Sequence, residues 1–432
     1  MRKTGTLAAV VLLAACKHGH GGSAHHDGAA PRASIPEVAA MLAEVDPARL
    51  KADVDRLVAF GTRHTLSDTT SDTRGVGAAR RWIESEMRKA GGGAVQVTAE
   101  SHLVHPDGKR VNRDVDVVDV VGVLTGTSPE ARARRYYVLG HYDSRCTDPM
   151  NTTCDAPGAN DDASGVALVL ELTRVLAKRK LGATVVFLAT AGEEQGLLGA
   201  KEHAATLKDV DVRGVLNNDI VGDPAGGDRH VVRVFSKGDD DSPARALARF
   251  AFETGEQEHL DVMPEIILRP DRTLRGGDHL AFADAGFAAV RFTASAEDYT
   301  RQHQDVRTEN GVAYGDTPAH VDAAYLAGVA RANAATLMHL ANAPEPPPDT
   351  RVVAELSNDT LLRWSPSRDA DVAGYEVVWR ATTSATWEHV RDVGRATEAR
   401  LPLSKDDFFF GVRAYDAQGY RSPVAFAHPV AP

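Results

Sequence analysis

From Ile35 the apolar positions recur at helical spacing: Val38, Met41, Leu42 and Val45, then Leu50, Val54, Leu57 and Val58. Gly75 to Ala90 predicts a further amphipathic helix with Trp82, Ile83 and Met87 inward, ended by Gly91-Gly92-Gly93. The period then changes. Val95–Val104 and Val115–Leu124 read as strands, with a turn at Pro106-Asp107-Gly108 between them. After that, strands and helices alternate. Arg135–Gly140 is a strand, and Ala163–Lys178 a helix burying Val166, Leu170, Leu172, Val175 and Leu176. Ala183–Thr190 is apolar throughout, as a strand covered on both faces must be. Leu197–Leu207 (helix), Val212–Asp219 (strand), Ser242–Thr254 (helix), Ala288–Thr293 (strand) and Asp322–Leu340 (helix) complete the series. This rhythm predicts an α/β fold: a mostly parallel central sheet sandwiched by helices, with an antiparallel edge.

Beyond Leu340 the pattern changes again. Residues 343–349 form a Pro-rich linker, and residues 350–432 carry only short strand-like runs separated by turn residues. Those runs are Val352–Leu356, Thr360–Trp364, Gly374–Arg380, Ala396–Leu401 and Phe408–Tyr415. They predict a small all-β sandwich. Trp364, Tyr375 and the segment FFFGVRAYDAQGYRSP resemble a fibronectin type III domain, in which Trp364 is a core residue. Such a module serves as a docking surface for a polysaccharide or protein, or as a spacer.

The N-terminus adds a different signal. Arg2 and Lys3 precede an apolar run, Leu7–Leu13, shorter than the roughly 20 residues that span a bilayer. Leu13-Ala14-Ala15-Cys16 follows and resembles a bacterial lipoprotein box, so residues 1–16 read as an export signal with Cys16 as the lipidated residue. Residues 17–34, rich in His and Gly, read as a flexible tether, and residues 35–342 as the main domain. The expected location is the cell envelope, lipid-anchored in the periplasm or outer membrane, or the secreted fraction. In that oxidising setting Cys146 and Cys154 are expected to form a disulfide that stiffens the loop between His141 and Asp161.

The chain of 432 residues has a formal net charge of −11, which argues against nucleic-acid binding and favours neutral or basic peptides over acidic ones. Its candidate chemistry gathers just after predicted strands or at the following helix start: His141, Asp161, the pair Glu193-Glu194, and Asp219. In open α/β sheets ligands bind outside the carboxyl ends of strands, so these groups converge on one rim. His303, in the loop DYTRQHQD, is a fifth candidate. One imidazole and several carboxylates suit a divalent metal such as zinc. Asp161 has a rival use as the N-cap of the helix at Ala163.

The motifs GHYDS, GANDDASG, TAGEEQGLLGA, NNDIVG and GGDHLAF, in that order and followed by a histidine, resemble the M28 family of zinc aminopeptidases over about residues 50–342. The resemblance implies two zinc ions, one held by His141, Asp161 and Asp219, the other by Asp161, Glu194 and His303, so that Asp161 bridges. It implies Glu193 as general base and Asp143 as the group orienting His141. It also places Gln302 where family members often carry an oxyanion-stabilising tyrosine, with Tyr299 nearby, so Tyr299 and Gln302 are candidate substrate contacts; Arg275, just before Gly276-Gly277-Asp278-His279, is a third, with pairing to an acid such as Asp278 as its alternative role. Asp278 and His279 match a motif that shapes the site wall. The implied activity is an aminopeptidase acting on peptide substrates. Its rivals are a glutaminyl cyclase, carboxypeptidase or dipeptidase on the same fold, and a catalytically dead binding protein. With no candidate ligand beyond His303, deletion from Glu345 onward is expected to leave hydrolysis of small substrates intact.

Overall fold

The computed structural model describes residues 32–430, so the signal-like stretch, Cys16 and residues 17–31 of the tether lie outside the described residues. Three helices open the described chain: α1 (Pro36–Leu42), α2 (Pro47–Val58) and α3 (Gly75–Gly91). Both α1 and α2 start with proline in the first turn, where its missing N–H costs nothing. The Asp46 carboxylate caps α2 by accepting the Ala48 N–H at 2.8 Å.

The next elements are β1 (Val95–Val104), β2 (Val115–Leu124), β3 (Arg135–His141), α4 (Ala163–Leu176), β4 (Thr184–Thr190), α5 (Leu198–Thr206) and β5 (Val212–Asn218). There follow β6 (Val231–Ser236), α6 (Pro243–Gln257), β7 (Met263–Ile267), α7 (His279–Asp284) and β8 (Ala289–Ala294). A small hairpin, β9 (Arg307–Glu309) with β10 (Val312–Tyr314), precedes the long helix α8 (Ala323–Asn342). The eight strands β1 to β8 form one sheet in the order β1-β2-β4-β3-β5-β8-β6-β7. Its centre, β4-β3-β5-β8, is parallel, while β1 and β2 add antiparallel at one side and β6 pairs antiparallel with β8 at the other. The sheet is the predicted one with two strands more, β6 and β7. No helix among the described residues is long and apolar enough to cross a membrane.

The two faces of the sheet bury different side chains of the same strands. Val138, Val185, Phe187 and Leu216 join the core under α2, α3, α4, α6 and α8. Tyr137, Leu139, Val186, Leu188 and Val215 turn to the other face and pack with α5 and α7. That alternation is why these strands read as unbroken apolar runs. Helix α4 sits very close to the sheet. A Cβ on Gly165 would lie 2.2 Å from the Asn218 carbonyl oxygen, and one on Gly140 would lie 2.7 Å from the Gly165 carbonyl carbon. Glycine at both positions lets the start of α4 drop between the ends of β3 and β5.

Beyond α8 the described chain has no helix. Strands β11 (Arg351–Val353), β12 (Thr360–Arg363), β15 (Glu398–Leu401) and β18 (His428–Val430) make one four-stranded sheet. A second joins β13 (Val372–Ala381), β14 (His389–Gly394), β16 (Phe408–Asp416) and β17 (Ala425–Phe426). They share an apolar core that includes Trp364, Tyr375, Val377 and Val412, with the Trp364 ring edge-on to Tyr375. This unit is built into the larger body rather than tethered to it. Arg413, almost wholly buried, reaches Glu253 of α6 at 2.7 Å and Glu376 at 2.7 Å. Arg380 pairs with Asp240, Arg134 with Asp369 at 3.0 Å, and the Arg249 guanidinium donates to the Ala385 carbonyl at 2.7 Å. The Pro-rich segment is packed as well, since Glu345 N–H donates to Asp369 at 2.8 Å.

Candidate metal centre

Three neighbouring parallel strands end at one place on the rim. His141 is the last residue of β3, Glu193 and Glu194 follow the end of β4, and Asp219 follows the end of β5. Asp161 precedes α4, and His303 comes from the loop between β8 and β9. Of the two adjacent aspartates it is Asp162, not Asp161, that caps α4, accepting the Gly165 N–H at 2.9 Å and the His141 N–H at 3.1 Å. The Asp161 side chain is thereby left to face the site.

Its two oxygens point two ways. Oδ1 lies 3.1 Å from His141 Nε2, and Oδ2 lies 2.9 Å from His303 Nε2. His141 Nε2 is also 3.9 Å from Asp219 Oδ1, and His303 Nε2 is 3.0 Å from Glu194 Oε1. The ligand atoms of His141, Asp161 and Asp219 all fall within 4.8 Å of one another, as do those of Asp161, Glu194 and His303. Both groups are sets of nitrogen and oxygen donors that suit zinc. Among the described residues, His141 Nε2 and Glu194 Oε1 are buried without a hydrogen-bond partner, one in each group. Buried polar atoms are nearly always paired, so two orphans aimed at the centres of two donor sets fit a cation in each.

Asp143 binds in several directions. Its backbone carbonyl is 3.2 Å and its Oδ1 is 3.5 Å from His141 Nδ1. The same carboxylate accepts the backbone N–H groups of Glu193 at 3.2 Å and Glu194 at 3.1 Å, and the Thr65 hydroxyl at 2.9 Å. Burial pushes the Asp143 carboxyl up, but the His141 ring, the Thr65 hydroxyl and the Glu194 amide together hold it below the ordinary carboxylate range. Glu193 belongs to neither donor set and lines the cavity over them. Burial, with Glu194 and Asp219 close by, holds its carboxyl well above the ordinary range.

Several supporting groups have no motif in the sequence. Asp316 accepts the backbone N–H groups of Asn160 at 2.9 Å and Asp161 at 2.7 Å. Fully buried Arg63 donates to the carbonyls of Tyr142, Leu57, Pro157 and Gly158, tying both flanks of the long loop before α4 to one guanidinium. Arg291, also fully buried, pairs with Asp219 Oδ1 at 2.9 Å; burial raises the Asp219 carboxyl, but Arg291 and His141 bring it to about 2. Arg145 donates to Glu194 Oε2 at 2.9 Å and its Nη2 lies 2.6 Å from His303 Nδ1.

Of the candidate substrate contacts, Gln302 and Arg275 line the cavity and Tyr299 does not. The Gln302 amide donates to Asp161 Oδ2 at 2.8 Å. Tyr299 is 65% exposed, with the Arg275 guanidinium 5.6 Å from its ring centre. Cys146 and Cys154 are joined as a disulfide, which closes the turn directly after Arg145. Asp278 and His279 are buried behind the site, Asp278 accepting the Thr190 hydroxyl and His279 Nε2 facing the Pro270 carbonyl at 2.9 Å.

The chain is similar to several known proteins. A family profile described as peptidase family M28 matches residues 119–336. A probable zinc metalloprotease of the fungus Pyricularia oryzae is 47% identical, the alignment covering 92% of this chain and 86% of the fungal one. Among solved structures, the LapA aminopeptidase of Legionella pneumophila superposes with a TM-score of 0.54 at 19% identity, over 71% of this chain and 75% of its own. The glutaminyl cyclase of Fimbriiglobus ruber gives 0.51 at 20% identity, over 68% of this chain and 95% of its own. At those identities the two structures bear on the fold alone.

Proposed function

Because the chain belongs to peptidase family M28, we propose that it is a zinc-dependent exopeptidase, an aminopeptidase that removes N-terminal residues from peptides. His141, Asp161 and Asp219 would hold one zinc ion, and Asp161, Glu194 and His303 a second. Bound there, zinc supplies a water acidified toward neutrality and a Lewis acid for the substrate carbonyl.

The chain's own residues do the rest. Glu193 takes the proton of the attacking water and passes it to the leaving amine. Asp143 fixes the His141 ring and, through two backbone N–H groups, the Glu193-Glu194 turn. Gln302, donating to Asp161 Oδ2, keeps that carboxylate from rotating. Arg145, donating to Glu194 Oε2, holds that side chain in one orientation. The N-terminal stretch with Cys16 is proposed as a lipid anchor in the cell envelope, and residues 350–432 as a fibronectin-like module.

The observation that carries the reading is the split of Asp161, one oxygen toward His141 and the other toward His303. The test pairs metal analysis with hydrolysis of a free and an N-blocked peptide. About two zinc ions per chain, with cleavage of the free peptide alone, support it. About one zinc, or cleavage of the blocked peptide, moves the assignment to a cyclase, a carboxypeptidase or an endopeptidase.

A further inference from the structure

The cavity above the two donor sets has a volume of about 390 Å³ and contains Leu197 and Leu274 as its only large apolar lining residues. Leu274 is wholly exposed. The cavity therefore has no apolar wall to enclose a leucine or phenylalanine side chain. It has arginines instead: Arg110, Arg145, Arg272 and Arg275 all line it.

On one wall these cations outnumber the carboxylates that face them. Glu297 is shared by three guanidinium groups, Arg233 at 3.2 Å, Arg272 at 2.9 Å and Arg275 at 2.5 Å. Arg272 also meets Asp271 at 3.0 Å, but Asp271 faces Arg291 too, at 3.5 Å. The Arg110 guanidinium, also in the lining, donates to the Glu194 backbone carbonyl and, among the described residues, pairs with no carboxylate. Of the acids on the floor, Asp161, Glu194 and Asp219 are the groups assigned to the metals, which leaves Glu193 as the lining carboxylate set against the four arginines. A chain of net charge −11 thus presents a positively charged mouth, the reverse of what its overall charge leads one to expect.

We infer that this cavity selects substrates carrying a carboxylate beside the scissile bond, held between Arg110 and Arg275. The inference rests on the exopeptidase reading and names the substrate class for that site. A guanidinium that has spare N–H donors and faces a carboxylate in a water-poor cavity forms one of the stronger charge-assisted contacts available. The carboxylate has two sources: the side chain of an N-terminal Glu or Asp, or the terminal carboxylate of a dipeptide.

The test uses the zinc-loaded full chain and matched pairs that differ only in charge. Glu-p-nitroanilide against Gln-p-nitroanilide probes the side-chain source, and Ala-Ala against Ala-Ala-amide the terminal one. The expected result is a preference of about tenfold or more in kcat/KM for the charged member of one pair, and the pair that shows it identifies the source. In Arg275→Gln and Arg110→Gln that ratio falls toward one, and Arg275→Lys restores part of it. Ratios near or below one in both pairs, with peptides still cleaved, overturn this inference and leave the exopeptidase reading standing. Cleavage of none of the four sinks the exopeptidase reading. Calorimetric binding of glutamate α-amide against glutamine α-amide, and of Ala-Ala against its amide, then decides the inference alone: equal affinities in both pairs reject it.

Discussion

The carboxylate of Asp143 accepts the backbone N–H of Glu194 at 3.1 Å. Asp143 therefore does more than orient the His141 ring; it also ties the turn that carries the proposed base to the strand that carries the histidine. Asp143→Asn replaces one accepting oxygen with an NH2 that repels an N–H donor. The expected outcome is zinc binding weakened about 10–100-fold and a loss of activity that excess zinc restores only in part. Chelator competition measures the first and steady-state kinetics the second. Unchanged zinc affinity would confine Asp143 to a packing role.

Glu193 is in neither donor set, so the base and the ligands can be separated. Glu193→Gln should lower kcat by about 10²–10⁴-fold while keeping the zinc content of the parent. Metal analysis of the purified variant beside its turnover number checks this. Activity within a few-fold of the parent would mean another group takes the proton.

The parts of the site legible in the sequence were those governed by a local rule. His141, the Glu193-Glu194 pair and Asp219 could be placed because each follows an apolar strand in a βα series, and such strands end at one rim. Strands β1 and β2 have the bounds their alternation predicts. Strand β7 contains Pro264, and β6 is six residues long with Arg233 in the middle, so neither stands out without its partner. Helix α7, at six residues, is too short to show a period. Arg63, Arg145, Arg291 and Asp316 were invisible for another reason. Each acts on a group far away in the chain, Asp316 on the backbone of Asp161 across 155 positions, and a lone charged residue announces no partner. The choice between Asp161 and Asp162 as cap needed the coordinates, because adjacent aspartates have the same chemistry.

The packing of the C-terminal sheets revises the expectation for a truncation. Deletion from Glu345 removes Arg413, Arg380 and Asp369, which pair with Glu253, Asp240 and Arg134. The shortened chain is expected to be markedly less stable or insoluble, although no candidate metal ligand is lost. Its melting temperature and soluble yield beside those of the full chain are the readouts.

A single residue tests the same junction more finely. Arg413→Met leaves the buried carboxylate of Glu253 without its closest cation and should cost about 3–5 kcal/mol of unfolding free energy. Adding Glu253→Gln should recover a substantial part. Chemical denaturation of the two single variants and the double variant gives the coupling; a strictly additive result would show that the pair does not bear on stability.

His279 predicts a pH dependence. Burial lowers its pKa from 6.5 to about 4. Between those values the unfolded chain binds more protons than the folded one, so stability present above pH 6.5 is lost as the pH falls toward 4, by about 3 kcal/mol. His279→Gln, which keeps a donor for the Pro270 carbonyl, should flatten that part of the stability profile. Urea midpoints of parent and variant across this range decide it; parallel profiles would assign the acid sensitivity to other groups.

The Arg413–Glu253 pair spans 160 positions of the chain, and that separation bears on how the protein is made. A chain grows from its N-terminus, so helix α6 leaves the ribosome long before the strand that carries Arg413 exists. Until β16 has been synthesised, Glu253 on α6 lacks its closest cation and, among the described residues, has only Arg32, at 3.8 Å, to face it. The last eighty or so residues thus act as a completion step: the contacts that Arg413, Arg380 and Asp369 make with the larger body form only once the chain is finished.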